Sequence, residues 1–129
     1  MTNLPPVPFT VLTHRAASTL TVRVVGELDY DTCGDLLDAV VPLLSEEAGL
    51  REVRLDFGGL TWIDSSGLSA LLMVHRHTSA ARAVLHLDHR PEFLERMLHL
   101  TNVLEFLTEP AAGARADGRT DEVTEAEAT

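Results

Sequence analysis

Four residues with polar or conformationally special character stand together in the stretch LTWIDSSGLSALLMV, residues 60–74. Asp64 offers a carboxylate, Ser65 and Ser66 offer hydroxyls, and Gly67 follows them in front of an apolar run. Three kinds of chemistry suit this pattern. A side chain can cap a helix, a serine can act as a nucleophile, or a serine hydroxyl can accept a phosphate from another enzyme.

The capping interpretation places Asp64 or Ser65 at the N-cap of a helix. There a side-chain oxygen accepts a hydrogen bond from a free backbone amide, which contributes about 1 kcal/mol. Gly67 then falls in the first turn, where glycine costs about 1 kcal/mol relative to alanine. This cost predicts that another backbone approaches closely at Gly67, because a missing side chain permits such an approach.

The nucleophile interpretation needs a base for Ser65 or Ser66, and the sequence offers none in a recognisable pattern. DSSGL lacks the glycine that stands two residues before the serine of a nucleophile elbow. His75 and His77 diverge on a helix, and no histidine has metal-ligand spacing with a carboxylate or with Cys33. We therefore expect no enzymatic activity, no cofactor and no metal.

Length, composition and charge restrict the class of protein further. The chain has 129 residues, of which 45% are hydrophobic, as expected for one globular domain. Its formal net charge of -10 argues against nucleic acid and against an anionic membrane surface as partners. Cys33 is the one cysteine, the N-terminus has no signal-peptide pattern, and the longest apolar run is too short to span a bilayer. These features predict a cytoplasmic protein.

The elements that must position the four residues can be read from hydrophobic periodicity. Strands are predicted at 9–14, 18–25, 52–57, 83–87 and 103–107. Helices are predicted from Asp31 or Thr32 through a kink at Pro42, from 65 to about 77, and over 90–100 with a stop at Asn102.

The predicted order of elements, β-β-α-β-α-β-α-β, indicates an α/β domain with a mixed, mostly parallel sheet of about five strands. Residues 1–8 are rich in proline and are predicted to be a flexible lead-in to a domain over 9–108. Residues 109–129 carry six acids against two arginines and almost no large apolar side chain, which predicts a disordered acidic tail.

Three segments resemble the STAS domain of anti-sigma factor antagonists. They are GELD at 26–29, LDFGGLTWIDSSGLSALL at 55–72, and RPEFLERMLHLTNVLEFL at 90–107. The likeness extends over about residues 9–107, and the order and spacing of the segments make it specific. Pro42, the absence of a glycine in TSAARAV and the acidic tail depart from the family pattern, but none of them touches DSSGL.

The resemblance implies a function that is regulatory and not enzymatic. The first serine after the aspartate, Ser65, matches the family's phosphoacceptor, with Ser66 as the alternative, and Asp29 matches a position tied to partner contact. The unphosphorylated bacterial protein would bind an anti-sigma factor of the serine-kinase type and free a sigma factor. Phosphorylation of Ser65 would end binding, and a metal-dependent (PP2C-type) phosphatase would restore it. The alternative is a non-switching STAS scaffold subunit of a transport or sensory complex.

The helix that begins at Ser65 predicts which side chains a partner would meet. Leu68, Leu71, Leu72 and His75 form one stripe and are expected to face inward. The opposite face and the residues around Ser65 predict partner contacts at Asp64, Ser66, Gly67, Ser69 and Met73, with packing of Met73 under a loop as the alternative for that residue, and the resemblance adds Asp29. A phosphate at the helix N-terminus suits the helix dipole, so its effect is expected on binding and not on the fold.

Overall fold

The computed structural model describes residues 8–46 and 49–108. Almost all of the predicted lead-in and the whole predicted acidic tail lie outside these residues. The elements, in chain order, are β1 (Thr10–Ala16), β2 (Thr19–Leu28), α1 (Cys33–Glu46), β3 (Glu52–Ile63), α2 (Ser65–Ala80), β4 (Val84–Asp88), α3 (Glu92–Leu100) and α4 (Leu104–Thr108).

The strands form a mixed sheet in the order β1-β2-β3-β4. The β1–β2 hairpin is antiparallel, and the β2–β3 and β3–β4 pairs are parallel. The predicted fold class is therefore confirmed. The hairpin turn is formed by Ala17 and Ser18, with Ala17 at a φ of 55°, and it is shorter than the predicted link because Arg15 and Ala16 belong to β1.

The core lies between one face of the sheet and the helices α1 and α2. Alternate residues of β2, and of β3 as far as Phe57, are buried there, as strand periodicity requires. Beyond Phe57 the buried residues of β3 are Leu60 and Ile63, three positions apart. The amphipathic stripe of α1 closes the core through Leu36, Val40 and Leu44. The helix α1 runs through Pro42 without a break. Pro42 has no N–H, so the carbonyl of Asp38 loses its helical hydrogen bond. Both residues are exposed, so water can reach that carbonyl.

The other face of the sheet carries paired charges. Arg54 lies 3.1 Å from both carboxylate oxygens of Asp88. Asp56 accepts the Gly58 N–H at 2.9 Å and lies 3.0 Å from Nδ1 of His89. Burial raises the pKa of Asp56, but the Gly58 amide and the neighbouring His89 outweigh burial, so the pKa lies below its usual 3.8. This face is therefore an ion-paired surface, in contrast to the apolar face under the helices.

The strand β3 is longer than the sequence predicts. It pairs with β4 only as far as Asp56 and Asp88, whereas it follows β2 as far as Leu28 and Ile63. Residues 57–63 therefore extend past the pairing with β4, and we call this segment the β3 overhang. Gly59, Leu60, Trp62 and Ile63 of the overhang pair with β2. The two glycines at its start read as a turn in the sequence, but a Cβ on Gly59 would lie 2.9 Å from Val25, so glycine instead allows close pairing with β2.

The prediction of a strand over 103–107 is wrong. These residues form the short helix α4, so the described residues give four strands where about five were expected. Leu107 is fully buried, and the Phe106 ring contacts the His75 ring of α2 at a tilt of 47°, with ring centroids 4.5 Å apart. The apolar spacing of this short segment suits a helical period as well as a strand, and docking against α2 and β4 decides the outcome.

Candidate functional site

The predicted site lies where β3 ends and α2 begins. Asp64 has an extended backbone with a φ of -120° and occupies the N-cap, and its Oδ1 accepts the Gly67 N–H at 3.0 Å. The capping prediction is thus confirmed for Asp64. Ser65 is the first helical residue and is exposed, so its hydroxyl is accessible at the carboxyl edge of the sheet.

Asp64 also fixes a second segment, which the sequence does not predict. Its Oδ2 accepts the N–H of Tyr30 at 3.3 Å, and its own N–H donates to the carbonyl of Leu28 at 3.2 Å. The carboxylate therefore joins the loop after β2 to the start of α2. Both of its oxygens are engaged within the chain, so Asp64 shapes the site as well as being a predicted partner contact.

Replacing Asp64 by alanine is expected to lower the free energy of unfolding by about 2 kcal/mol, because the helix cap and the tie to Tyr30 are lost together. Asp64→Asn is the matched control, since its amide oxygen keeps one acceptor while the charge is removed. Urea unfolding measures both variants. Equal stability of Asp64→Ala and the wild type would show that the observed hydrogen bonds make no net contribution to the free energy of unfolding.

Asp29 organises the loop between β2 and α1. Its Oδ1 accepts the N–H groups of Asp31 at 3.0 Å and Thr32 at 3.2 Å. The Thr32 hydroxyl accepts the Asp29 N–H at 2.9 Å and donates to the carbonyl of Glu27 at 2.7 Å. Asp29 is half-buried, and its hydrogen bonds place it beside the Tyr30 amide that meets Asp64. The structure thus brings the predicted residues Asp29 and Asp64 to one loop cluster.

Gly67 is buried, which corrects its predicted place on the partner surface. A Cβ at this position would lie 2.4 Å from the carbonyl oxygen of Leu28 and 2.8 Å from Cγ1 of Ile63. The predicted close approach of a backbone is therefore present, but the backbone is the chain's own β2. Gly67 allows α2 to begin directly against the sheet, and we omit it from the contact surface.

The orientation of α2 agrees with the prediction in most positions. Leu71 and His75 are buried, while Ser69 and Met73 are exposed on the opposite face. Ser66 is half-buried, so it is less accessible than Ser65. Of the two candidate phosphoacceptors, the structure therefore exposes Ser65 more fully.

Two aromatic residues near the site were not selected from the sequence. Tyr30 and Trp62 are 79% and 53% exposed; Tyr30 lies in the loop that Asp64 joins to α2, and Trp62 lies near the end of β3. A tryptophan two residues before a capping aspartate was the available signal, but the predicted strand ended at residue 57 and did not include Trp62. The surrounding segments 24–50 and 55–72 contain no Arg, Lys or His, so these two segments carry a net negative charge.

The described residues include no group of three or more His, Cys, Asp or Glu side chains that could hold a metal ion. Among the same residues, no helix combines the length and the apolar character needed to cross a bilayer.

The architecture and the Asp-Ser-Ser-Gly cap define the class of the protein. A mixed sheet with a hairpin at one edge presents this cap at the end of its third strand. The family model described as "Mlab, STAS domain" matches residues 11–109, and the chain belongs to this STAS-domain family. No curated protein matches the sequence.

Solved structures share the fold at low sequence identity. An anti-sigma factor antagonist from Mycobacterium paratuberculosis is 20% identical with a TM-score of 0.68, covering 77% of this chain and 82% of that one. The anti-sigma factor antagonist SpoIIAA in its unphosphorylated form is 18% identical with a TM-score of 0.59, covering 72% and 83%. The phosphorylated form of SpoIIAA from Bacillus is 18% identical with a TM-score of 0.60, covering 74% and 85%.

Proposed function

We propose that this chain is an anti-sigma factor antagonist that is switched by phosphorylation of Ser65. The observation that carries the proposal is an exposed serine hydroxyl, held at the N-terminus of α2 by the Asp64 cap, in a STAS domain. The unphosphorylated form binds an anti-sigma factor of the serine-kinase type and so frees a sigma factor. Structural neighbours described as anti-sigma factor antagonists support this proposal.

The local structure can accept a phosphate on Ser65 without unfolding. A phosphoserine carries about -1.5 to -2 charges at pH 7. At the first position of α2 it meets the positive end of the helix dipole, which favours an anion. The Asp64 carboxylate opposes the phosphate, but the exposed position leaves the new charge in water. Phosphorylation is therefore expected to preserve the domain.

The same phosphate is expected to oppose binding. A partner that covers Ser65 must remove water from the dianion, which costs several kcal/mol when the charge is left unpaired. Each 1.4 kcal/mol corresponds to a tenfold loss of affinity. A covalent change at one hydroxyl thus separates a bound state from a free state without a conformational change.

The proposed cycle needs two partner proteins. The anti-sigma factor both binds the chain and phosphorylates Ser65, and a PP2C-type phosphatase removes the phosphate. Transcription in the bacterial cytoplasm is then regulated without contact between this chain and DNA, in keeping with its formal net charge of -10.

Incubation with Mg-ATP and each purified serine-kinase-type anti-sigma factor of the source bacterium tests the proposal. Intact-mass spectrometry should show the addition of one phosphate to the wild type and to Ser66→Ala, and none to Ser65→Ala. Equal labelling of Ser65→Ala and the wild type would move the phosphoacceptor to Ser66. Absence of labelling and binding, together with isolation of the chain in a stable transport or sensory complex, would favour the scaffold alternative.

A further inference from the structure

We propose that Tyr30 and Trp62 are the two aromatic anchors by which the chain binds its anti-sigma factor, and that they make the contact around Ser65 dry. This inference rests on the proposed function. It adds which residues of the chain supply the binding affinity. It also adds the chemistry of the partner surface that receives them, which is an apolar recess with a rim of Arg or Lys side chains.

The first support is the exposure of two large aromatic side chains to water. The chain has one Tyr and one Trp, and neither belongs to the hydrophobic core. Both residues are instead largely exposed, at 79% for Tyr30 and 53% for Trp62. Tyr and Trp are enriched among the interface residues that carry most of the binding energy, so two such side chains in water at one edge indicate an interaction surface.

The second support is their position relative to Ser65. The Tyr30 N–H donates to Oδ2 of Asp64, the residue immediately before Ser65. Trp62 lies on the β3 overhang, paired in register with Glu27 of β2 and two residues before Asp64. Both aromatic residues therefore belong to the segments whose backbones adjoin Asp64 and Ser65.

The third support is the charge around the aromatic pair. Exposed or half-buried acids surround it in the sequence, and segments 24–50 and 55–72 contain no basic residue of their own. These acids are Glu27, Asp29, Asp31, Asp35 and Asp64. A surface with an apolar centre and an acidic rim is complementary to an apolar recess with a basic rim, and such complementarity raises the association rate.

The aromatic pair also explains how one phosphate can be decisive. If Tyr30 and Trp62 fill a recess, water is excluded from the contact next to Ser65, and a phosphate there loses its hydration. Without an anchor, water can enter and solvate the phosphate. The Trp62 ring should therefore determine both the affinity of the unphosphorylated chain and the penalty that a negative charge at position 65 imposes.

The test is a double-mutant cycle with the anti-sigma factor that labels Ser65, held in its ADP-bound form. Calorimetry should show that Trp62→Ala and Tyr30→Ala each weaken binding at least about tenfold. Leu100→Ala is the matched control, because Leu100 is also 79% exposed but lies at the end of α3, and it should bind within about twofold of the wild type. In the Trp62→Ala background, Ser65→Asp should cost less affinity than it does in the wild type.

A measurement without mutation accompanies the cycle. Trp62 is the single tryptophan, so 5-fluorotryptophan in this chain gives a fluorine signal from one position. On binding, this fluorine resonance is expected to shift and to become insensitive to the solvent. Wild-type affinity in both aromatic variants, with an unchanged fluorine signal, would overturn the anchor proposal and leave the Ser65 switch intact. Failure of the wild type to bind any anti-sigma factor would overturn the proposed function and the anchors with it.

Discussion

Ser65→Asp is expected to fold like the wild type and to bind the anti-sigma factor about 100-fold more weakly, which corresponds to about 2.8 kcal/mol. The exposed first position of α2 tolerates a carboxylate, since the free amides and the helix dipole favour a negative charge. In the complex the same carboxylate is covered, loses its water and lies beside Asp64. The cost therefore falls on the bound state alone.

Calorimetric titration and thermal unfolding of the same preparations separate these two effects. Ser65→Asn is the matched control, because it has nearly the size and shape of the aspartate variant without its charge, and it should retain most of the affinity. Ser65→Ala should bind in the presence of Mg-ATP and remain bound. If Ser65→Asn loses as much affinity as Ser65→Asp, size and not charge controls docking, and the proposed switch is wrong.

Gly67→Ala is expected to lower the free energy of unfolding by about 3 kcal/mol. The added Cβ would lie 2.4 Å from the Leu28 carbonyl oxygen and 2.8 Å from the Ile63 side chain. The nearest atom belongs to the backbone of a central strand, so it cannot move aside as the end of a flexible side chain can. The start of α2 must shift away from the sheet, and the Asp64 hydrogen bonds to Gly67 and Tyr30 are strained with it.

Gly34→Ala is expected to have the opposite effect on stability, although Gly34 occupies a similar position in its helix. Gly34 also lies in the first turn of a helix, but a Cβ there meets no atom within 4 Å. Alanine should therefore stabilise α1 by up to about 1 kcal/mol. Urea unfolding of both variants gives the comparison. If the two substitutions change stability equally, the contact of Gly67 with β2 is not the reason for glycine at that position.

Local patterns were sufficient to predict much of the fold. Alternation in β2 matches its buried face, and Asn102 has the predicted left-handed conformation with a φ of 60° after α3. Asp64 caps α2 because short-range hydrogen bonding to Gly67 is encoded within four residues. These features depend on neighbours in sequence, and the sequence alone therefore predicts them.

The features that were missed depend on contacts between distant segments. The hydrogen bond from Tyr30 to Asp64 joins residues 34 positions apart, and no local pattern marks it. The identity of the backbone beside Gly67 and the helical form of α4 likewise depend on packing against other elements. The extension of β3 past Gly58 and Gly59 was hidden because paired glycines usually signal a turn.

The β3 overhang has a geometric consequence for any enzyme that acts on Ser65. Transfer of a phosphoryl group needs the attacking oxygen, the phosphorus and the leaving oxygen nearly in line. The serine hydroxyl must therefore enter the cleft of the enzyme that holds the nucleotide. Since β3 continues past the end of its pairing with β4, Ser65 stands on a two-strand projection and not on a flush sheet end. An enzyme can therefore reach Ser65 beyond the end of the β3–β4 pairing, while the domain behind it remains folded.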